Sequence, residues 1–283
     1  MSRPRGGYIG FNRVPAASAV NSAASGVWTL REAEAIKRAG TWPLGAPGGV
    51  GTGLQLWLDA SDSATLFDAT SGGSAVAADG GVARWEDKSG NARHMTQGTA
   101  ANRPVRKTAT QNGLDILRFD GSDDILELTY NLSSIAAASL IVVAKYADTI
   151  GHEIVAAFGT QTSFGGLSVE KQRSGGANFG VVAGSNLAAS ESSVSLSAAN
   201  TNINAFAAIY GSGTITGYIN NVSAGSTSFA GPLNSQTGFR VGGYFDILYA
   251  QADVCEVVYY NKALSSDERT SLQGYLANKW GIT

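Results

Sequence analysis

Two groups of residues in this chain carry chemistry that could hold a ligand. Asp120-Gly121-Ser122-Asp123-Asp124 sets three carboxylates into five positions. A calcium ion takes roughly six to eight oxygen ligands, and carboxylates on a tight loop can supply several of them. The run lacks the alternating acidic spacing of a dedicated calcium loop, and Asp-Gly between two strand-like runs is ordinary hairpin chemistry. Turn and calcium site both stay open here: no cofactor is required, and calcium is the one that Asp120, Asp123 and Asp124 would admit. The second group is Tyr244, Phe245 and Tyr249, in a predicted loop. Exposed rings of this kind stack on sugar faces, whereas buried ones merely cover a core. Trp57, Trp85, Tyr259 and Tyr260 are read as core. Asp59 and Asp62 are read as caps of the turn that follows Leu56-Trp57-Leu58.

Catalytic groupings are sparse. A glycan hydrolase on a β-sandwich needs two carboxylates on one strand face, one as acid and one as nucleophile, and alternation places every second residue on a face. Glu86 and Asp87 are adjacent and so point apart, and Glu170 stands by itself. His94 and His152 are the chain's two histidines and have no metal-ligand spacing. His94 is read as a surface or rim residue. Cys255, the single cysteine, lies in an apolar run and is read as a packed small side chain. A non-enzyme is expected.

Composition narrows the class further. Charged residues make up 15% of the 283 residues and the net charge is −2, which leaves no electrostatic footprint for nucleic acid or an anionic membrane. No apolar run has the length of a membrane helix or of a secretory leader. The 36 glycines punctuate short alternating runs, as in an all-β protein. Such runs recur from Leu54 to Tyr260 and predict an antiparallel sandwich. Asn220-Asn221 and Gly242-Gly243 read as turns, and the small polar stretch 185–202 as a long surface loop or edge. Ser265 and Glu268 form a capping box that opens a C-terminal helix, with Leu264 placed as its staple. Near the N-terminus, Thr29 and Glu32 open a second, short helix that Gly40 and Pro43 end. Residues 47–53, rich in Gly and Pro, read as a linker between an arm, 1–46, and the main domain, 54–283.

Several segments resemble known proteins. GLQLWLDASD (Gly53–Asp62), RWEDKSGN (Arg84–Asn91), LRFDGSDDIL (Leu117–Leu126), Tyr218–Asn221, Arg240–Gly243 and Glu256–Ile282 resemble laminin-G-like, concanavalin A-like jelly-roll domains. The resemblance implies an all-β jelly roll with a C-terminal helix and, in some members, calcium at a sandwich rim. Gly7–Pro43 resembles the leader of structural proteins of tailed bacteriophages. That likeness implies an arm that docks on other virion proteins through Tyr8, Phe11, Trp28, Leu30 and Trp42, with the domain displayed outward. The expectation is therefore a virion protein, assembled in the host cytoplasm and homo-oligomeric. It would be a tail-fibre or spike module adhering to host-surface glycan, or alternatively a capsid decoration that binds no sugar.

Overall fold

The computed structural model describes residues 46–159, 164–171, 177–184, 191–235, 238–244 and 247–283. The expected docking residues Tyr8, Phe11, Trp28, Leu30 and Trp42 lie outside this set, as does Phe245. Two antiparallel sheets stack face to face. In the first, the order is β16 (Val222–Ser228), β15 (Thr214–Ile219), β14 (Asn204–Gly211), β9 (Ala137–Tyr146), β19 (Gln251–Tyr260), β6 (Leu114–Asp120) and β5 (Val105–Gln111), with β1 (Leu54–Asp59) also pairing with β19. In the second, it is β13 (Glu191–Ala198), β12 (Asn178–Gly184), β11 (Phe164–Lys171), β10 (Glu153–Gly159), β18 (Phe239–Val241), β7 (Leu126–Leu128), β4 (Met95–Thr96), β3 (Arg84–Trp85) and β2 (Leu66–Phe67). A short pair, β8 (Leu132–Ile135) with β17 (Leu233–Ser235), forms a separate two-stranded sheet, with Leu233 buried in the main core. The predicted sandwich is what the chain forms. Within 185–202, the described part is the edge strand β13 followed by a short non-strand stretch, 199–202, so the edge reading holds over β13.

Alternation explains the core. Leu140, Val142 and Ala144 of β9 face the second sheet, while Ile141 and Val143 face the opposite way. Both sets are buried, which is why this strand reads as an unbroken apolar run. Between the sheets, the Phe158 ring lies 4.7 Å from that of Tyr259 and 4.6 Å from that of Phe239. Each such aromatic pair adds about 0.5–1.5 kcal/mol beyond its area burial.

The outer face of the first sheet is covered by helix α1 (Ser266–Trp280). Its capping box forms as expected, Leu264 is buried, and Gly281 ends it in the left-handed conformation. Leu272, Leu276 and Trp280 pack on Ile141, Val143, Cys255 and Val258. Cys255 is thus the packed residue expected, and burial pushes its thiol well up. The expected linker is a different matter. Ala46, Pro47 and Val50 are buried against α1, and Tyr260 Oη donates to the Val50 carbonyl at 3.0 Å. A Cβ on Gly48 would lie 2.5 Å from Leu272 Cα. Glycine at 48 therefore marks a close approach of two backbones and not a free hinge, and residues 46–50 pack on the sandwich and its helix.

One carboxylate fastens this layer. Glu256 on β19 is fully buried. It accepts from Trp57 Nε1 (2.7 Å), Trp280 Nε1 (2.7 Å), Lys279 Nζ (2.9 Å) and Tyr275 Oη (3.1 Å). Lys279 also donates to Asp59 at 2.6 Å, and Lys88 does so at 2.8 Å. Burial raises Asp59, but Lys279 and Lys88 pull it further the other way and hold it below its ordinary value. Truncating Glu256 to Ala leaves two buried indole N–H groups without their acceptor and takes from Lys279 one of its two carboxylate partners. Glu256→Ala is expected to cost about 3–5 kcal/mol, read as a fall in thermal midpoint on the order of 10 °C and a lower denaturant midpoint. A loss under about 1 kcal/mol would mean that the network does not hold the helix.

Candidate functional site

Three crossings between the sheets meet at one rim. The chain passes from β6 to β7, from β9 to β10, and from β18 to β19, changing sheet each time. The first residue of β19, Gln251, pairs with Asp120 at the end of β6, and its carbonyl accepts from Ala147 just after β9. The Gln251 backbone N–H donates to Glu153 Oε2 at the start of β10 (3.0 Å). The loops 121–125 and 147–152 and the described residues of 242–250 are therefore neighbours, although they lie far apart in sequence.

The first loop carries the acidic cluster. Its Asp-Gly left a hairpin turn and a calcium site both open; β6 and β7 belong to different sheets, so the loop is an arch between layers and not a hairpin. Asp120 Oδ1 accepts from the Ser122 backbone N–H at 2.8 Å, and Asp124 Oδ2 from that of Asp120 at 3.0 Å. Asp120, Asp123 and Asp124 each place a carboxylate oxygen within 4.8 Å of the others. Burial, followed by the nearby charges of Asp120 and Asp123, pushes the Asp124 carboxyl up to about 6. Such crowding of like charge is what a divalent cation would relieve, and the donor set fits calcium. These three residues would hold the ion, and it would rigidify the arch.

Of the aromatic candidates, Tyr244 and Tyr249 are described. Tyr244 is fully buried against Ile154 and Ala157. Its ring serves as the loop's floor and presents no face to a sugar in this conformation. Tyr249 is half-buried and lies over Gly243, where a Cβ would sit 2.7 Å from its Cδ1. At Gly242 (φ +97°), a Cβ would lie 2.1 Å from Phe119 and 2.8 Å from the Asp124 carbonyl. Glycine there lets the aromatic loop close onto the acidic arch.

Beside the arch lies an open groove of about 460 Å³, whose lining includes Arg118, Asp120, Lys145, Tyr146, Gln251 and Asp253. Strand register makes a row of alternating charge. Asp253 is paired in the sheet with Arg118 on one side and Lys145 on the other. Arg118 grips Asp253 with Nε and Nη2 at 2.6 and 2.8 Å, and Lys145 is exposed. The row offers donors and acceptors side by side, the pattern that recognises hydroxyls and carboxylates. Sequence reading missed these residues because they come from three distant strands. A lysine interrupting the apolar run of β9 was the available signal.

Other charged groups are engaged elsewhere. Asp59 and Asp62 cap the turn after β1, accepting from the Ser61 and Ala64 backbone N–H groups at 3.1 and 3.3 Å. Glu86 pairs with Arg84, and Asp87 accepts from the Trp57 and Ser89 backbone N–H groups. Glu170, fully buried, meets His152 Nε2 at 3.1 Å, and Lys171 is buried between Asp148 and Glu153. His94 is half-buried, its Nδ1 accepting from the Asp87 backbone N–H.

No family model and no curated protein matches the chain. Solved structures do match by shape. The botulinum neurotoxin serotype D binding domain aligns with 82% of this chain and 52% of its own, at TM-score 0.56 and 11% identity. The same domain in complex with N-acetylneuraminic acid aligns at 0.56 and 12%, over 81% of this chain and 52% of its own. A Trypanosoma rangeli sialidase complex aligns with 80% of this chain at 0.51 and 14%, and this chain spans 33% of it. At such identities the likeness establishes the β-sandwich and nothing of activity.

The rim chemistry has a direct check. Between the ordinary 3.8 and about 6, folded Asp124 holds a proton that the unfolded chain has lost, so the group's contribution to stability falls as pH rises through that window. Asp124→Asn keeps an acceptor for the Asp120 N–H and removes the crowded charge. In chelator at pH 7 it is expected to raise the thermal midpoint by a few degrees, at roughly 2–4 °C per kcal/mol. Added calcium should raise the midpoint of the wild-type chain and leave that of the variant unmoved. An equal response in both would place the ion elsewhere.

Proposed function

We propose that this chain is a non-catalytic, glycan-binding β-sandwich, and that the rim groove holds the sugar. The observation that carries the reading is the row Arg118–Asp253–Lys145 beside Gln251 and Asp120, a polar concavity built where three loops converge. The lining residues stand on the ends of three strands, and sites carried by strands of a rigid scaffold hold their geometry better than sites on loops. Support also comes from neighbours of similar shape, which include a toxin binding domain complexed with N-acetylneuraminic acid. Tyr249, at the edge of the closing loop, remains a candidate wall for the ligand, with Phe245 as a further one.

A larger assignment goes with this. The Gly7–Pro43 segment resembles phage structural leaders, which supports a virion protein held through residues 1–46 and presenting the sandwich to host-surface glycan. Antibody labelling of particles should then mark the tail. Labelling of the head would favour the decoration reading instead.

The groove is tested on a glycan array that includes sialylated chains. The wild-type chain is expected to bind, and Lys145→Ala/Gln251→Ala to lose about tenfold or more in affinity, equivalent to about 1.4 kcal/mol. The thermal midpoint of the variant should not change, because both side chains are exposed. An array on which the wild type binds nothing, or binding that survives the double substitution, would overturn the assignment of the groove.

A further inference from the structure

The polar groups that line the groove are not all in use. Asp253 gives both carboxylate oxygens to Arg118, Oδ1 to Nε at 2.6 Å and Oδ2 to Nη2 at 2.8 Å. Asp120 Oδ1 accepts from the backbone N–H groups of Ser122 and Asp123, at 2.8 and 3.4 Å. Tyr146 is buried, its ring stacked on that of Phe179. Lys145 and Gln251 differ. Both are exposed, and among the described residues neither side chain has a hydrogen-bond or ion-pair partner.

Lys145 also stands apart from the other described lysines. Lys88, Lys107, Lys171, Lys262 and Lys279 each meet a carboxylate. Lys145 does not, although Asp253 is its cross-strand neighbour. The reason is competition. Arg118 flanks the same acid from the other side, and a guanidinium fork matches both oxygens of a carboxylate, as an ammonium cannot. Arg118 takes Asp253, and Lys145 is left facing the groove without a counter-charge.

Gln251 precedes Asp253 by two residues on β19, so it points to the same face and lies diagonal to Lys145 across the pair. Diagonal neighbours of this kind stand about 7–8 Å apart, a gap that one sugar unit spans. The arch carboxylates make the background of the groove negative, but they are further off. Asp120 is two strands and two residues from Lys145, on the order of 10 Å by strand spacing. An anion in contact with the ammonium therefore meets it far more strongly than it meets the arch.

We infer that the ligand of this groove is an acidic glycan, its anionic group paired with Lys145 and a neighbouring hydroxyl or amide held by Gln251. The inference rests on the groove being the sugar site and adds to it the charge of the sugar. A neutral sugar would use the Gln251 amide and gain little from the ammonium, whereas an anion gains a charge-assisted hydrogen bond. Carboxylate and sulfate share this chemistry, because an ammonium acts as a point charge.

The test is a glycan array probed with the full chain in calcium-containing buffer. Each carboxylated glycan is printed beside the same glycan with its carboxylates reduced to alcohols, and beside a sulfated counterpart. The wild type is expected to favour the acidic member over its neutral twin by about tenfold or more, and less so as salt is raised. Lys145→Gln should abolish the preference with an unchanged thermal midpoint, since the side chain is exposed. Asp253→Asn, which releases the Arg118 fork, should strengthen binding of the acidic member. Carboxylated and sulfated chains bound above the neutral twin each support the inference, and their order tells which anion the ammonium meets. Equal binding of acidic and neutral members by the wild type overturns the inference and leaves the groove standing as a sugar site. A preference that survives Lys145→Gln overturns it as well. A wild type that binds no glycan at all overturns both.

Discussion

A buried carboxylate with four donors around it sets the terms for the rest of this fold. Glu256 sits mid-strand on the outer face of the first sheet, a position that an isolated charge could not occupy. It is tolerable there because Trp57 reaches it from β1, and Tyr275, Lys279 and Trp280 from α1. Removing the helix would leave the charge uncompensated, so helix and sheet come as a unit. The helix in turn covers Ile141, Val143 and Val258, which lets the strands of the first sheet be apolar on both faces. Pro47 and Gly48 then close over Leu272. The start of the domain is thereby fastened to its end.

With the middle of that outer face covered, polar groups are displaced toward the rim where the three crossings meet. Arg118, Lys145 and Asp253 stand on the same sheet as Glu256, yet beyond the reach of α1, and there the row of charges remains open to solvent. The close packing beneath is unforgiving. Gly242 admits no side chain against Phe119, and Lys171 is buried between two carboxylates just inside the rim. A stiff base with open charged groups above it suits recognition of a ligand by geometry, without reorganisation on binding.

What could be read in the sequence divides along physical lines. The strands, the core aromatics, the capping box and the packed cysteine were legible because period, local hydrogen bonding and apolar context determine them over a few residues. The Asp120–Asp124 loop was legible as a cluster but not as an arch, because a hairpin and a layer crossing share the same Asp-Gly chemistry and differ only in the partner of the next strand. Gly48 looked like hinge composition, yet the reason for glycine was a backbone packed against Leu272, more than two hundred positions away along the chain. Tyr244 looked like loop and lies in the interior, because it is the adjacent Gly242–Gly243 turn that folds it inward. The groove was invisible for a similar reason: Arg118, Lys145 and Asp253 become a row only through strand register.

Asp120 belongs to both parts of the rim, one member of the acidic cluster and also a wall of the groove. The two cannot be electrostatically independent. With the cluster empty and ionised, its three carboxylates join Asp253 against Arg118 and Lys145, and the groove presents net negative charge. A divalent cation on the cluster would offset two of those negative charges and bring the groove near balance, at short range, where screening by salt is weakest. Neutral sugars would feel little of this, while sugars bearing a carboxylate would feel it strongly. Occupancy of the arch and the charge of whatever enters the groove are thus coupled through a single side chain, and neither can be understood from its own residues alone.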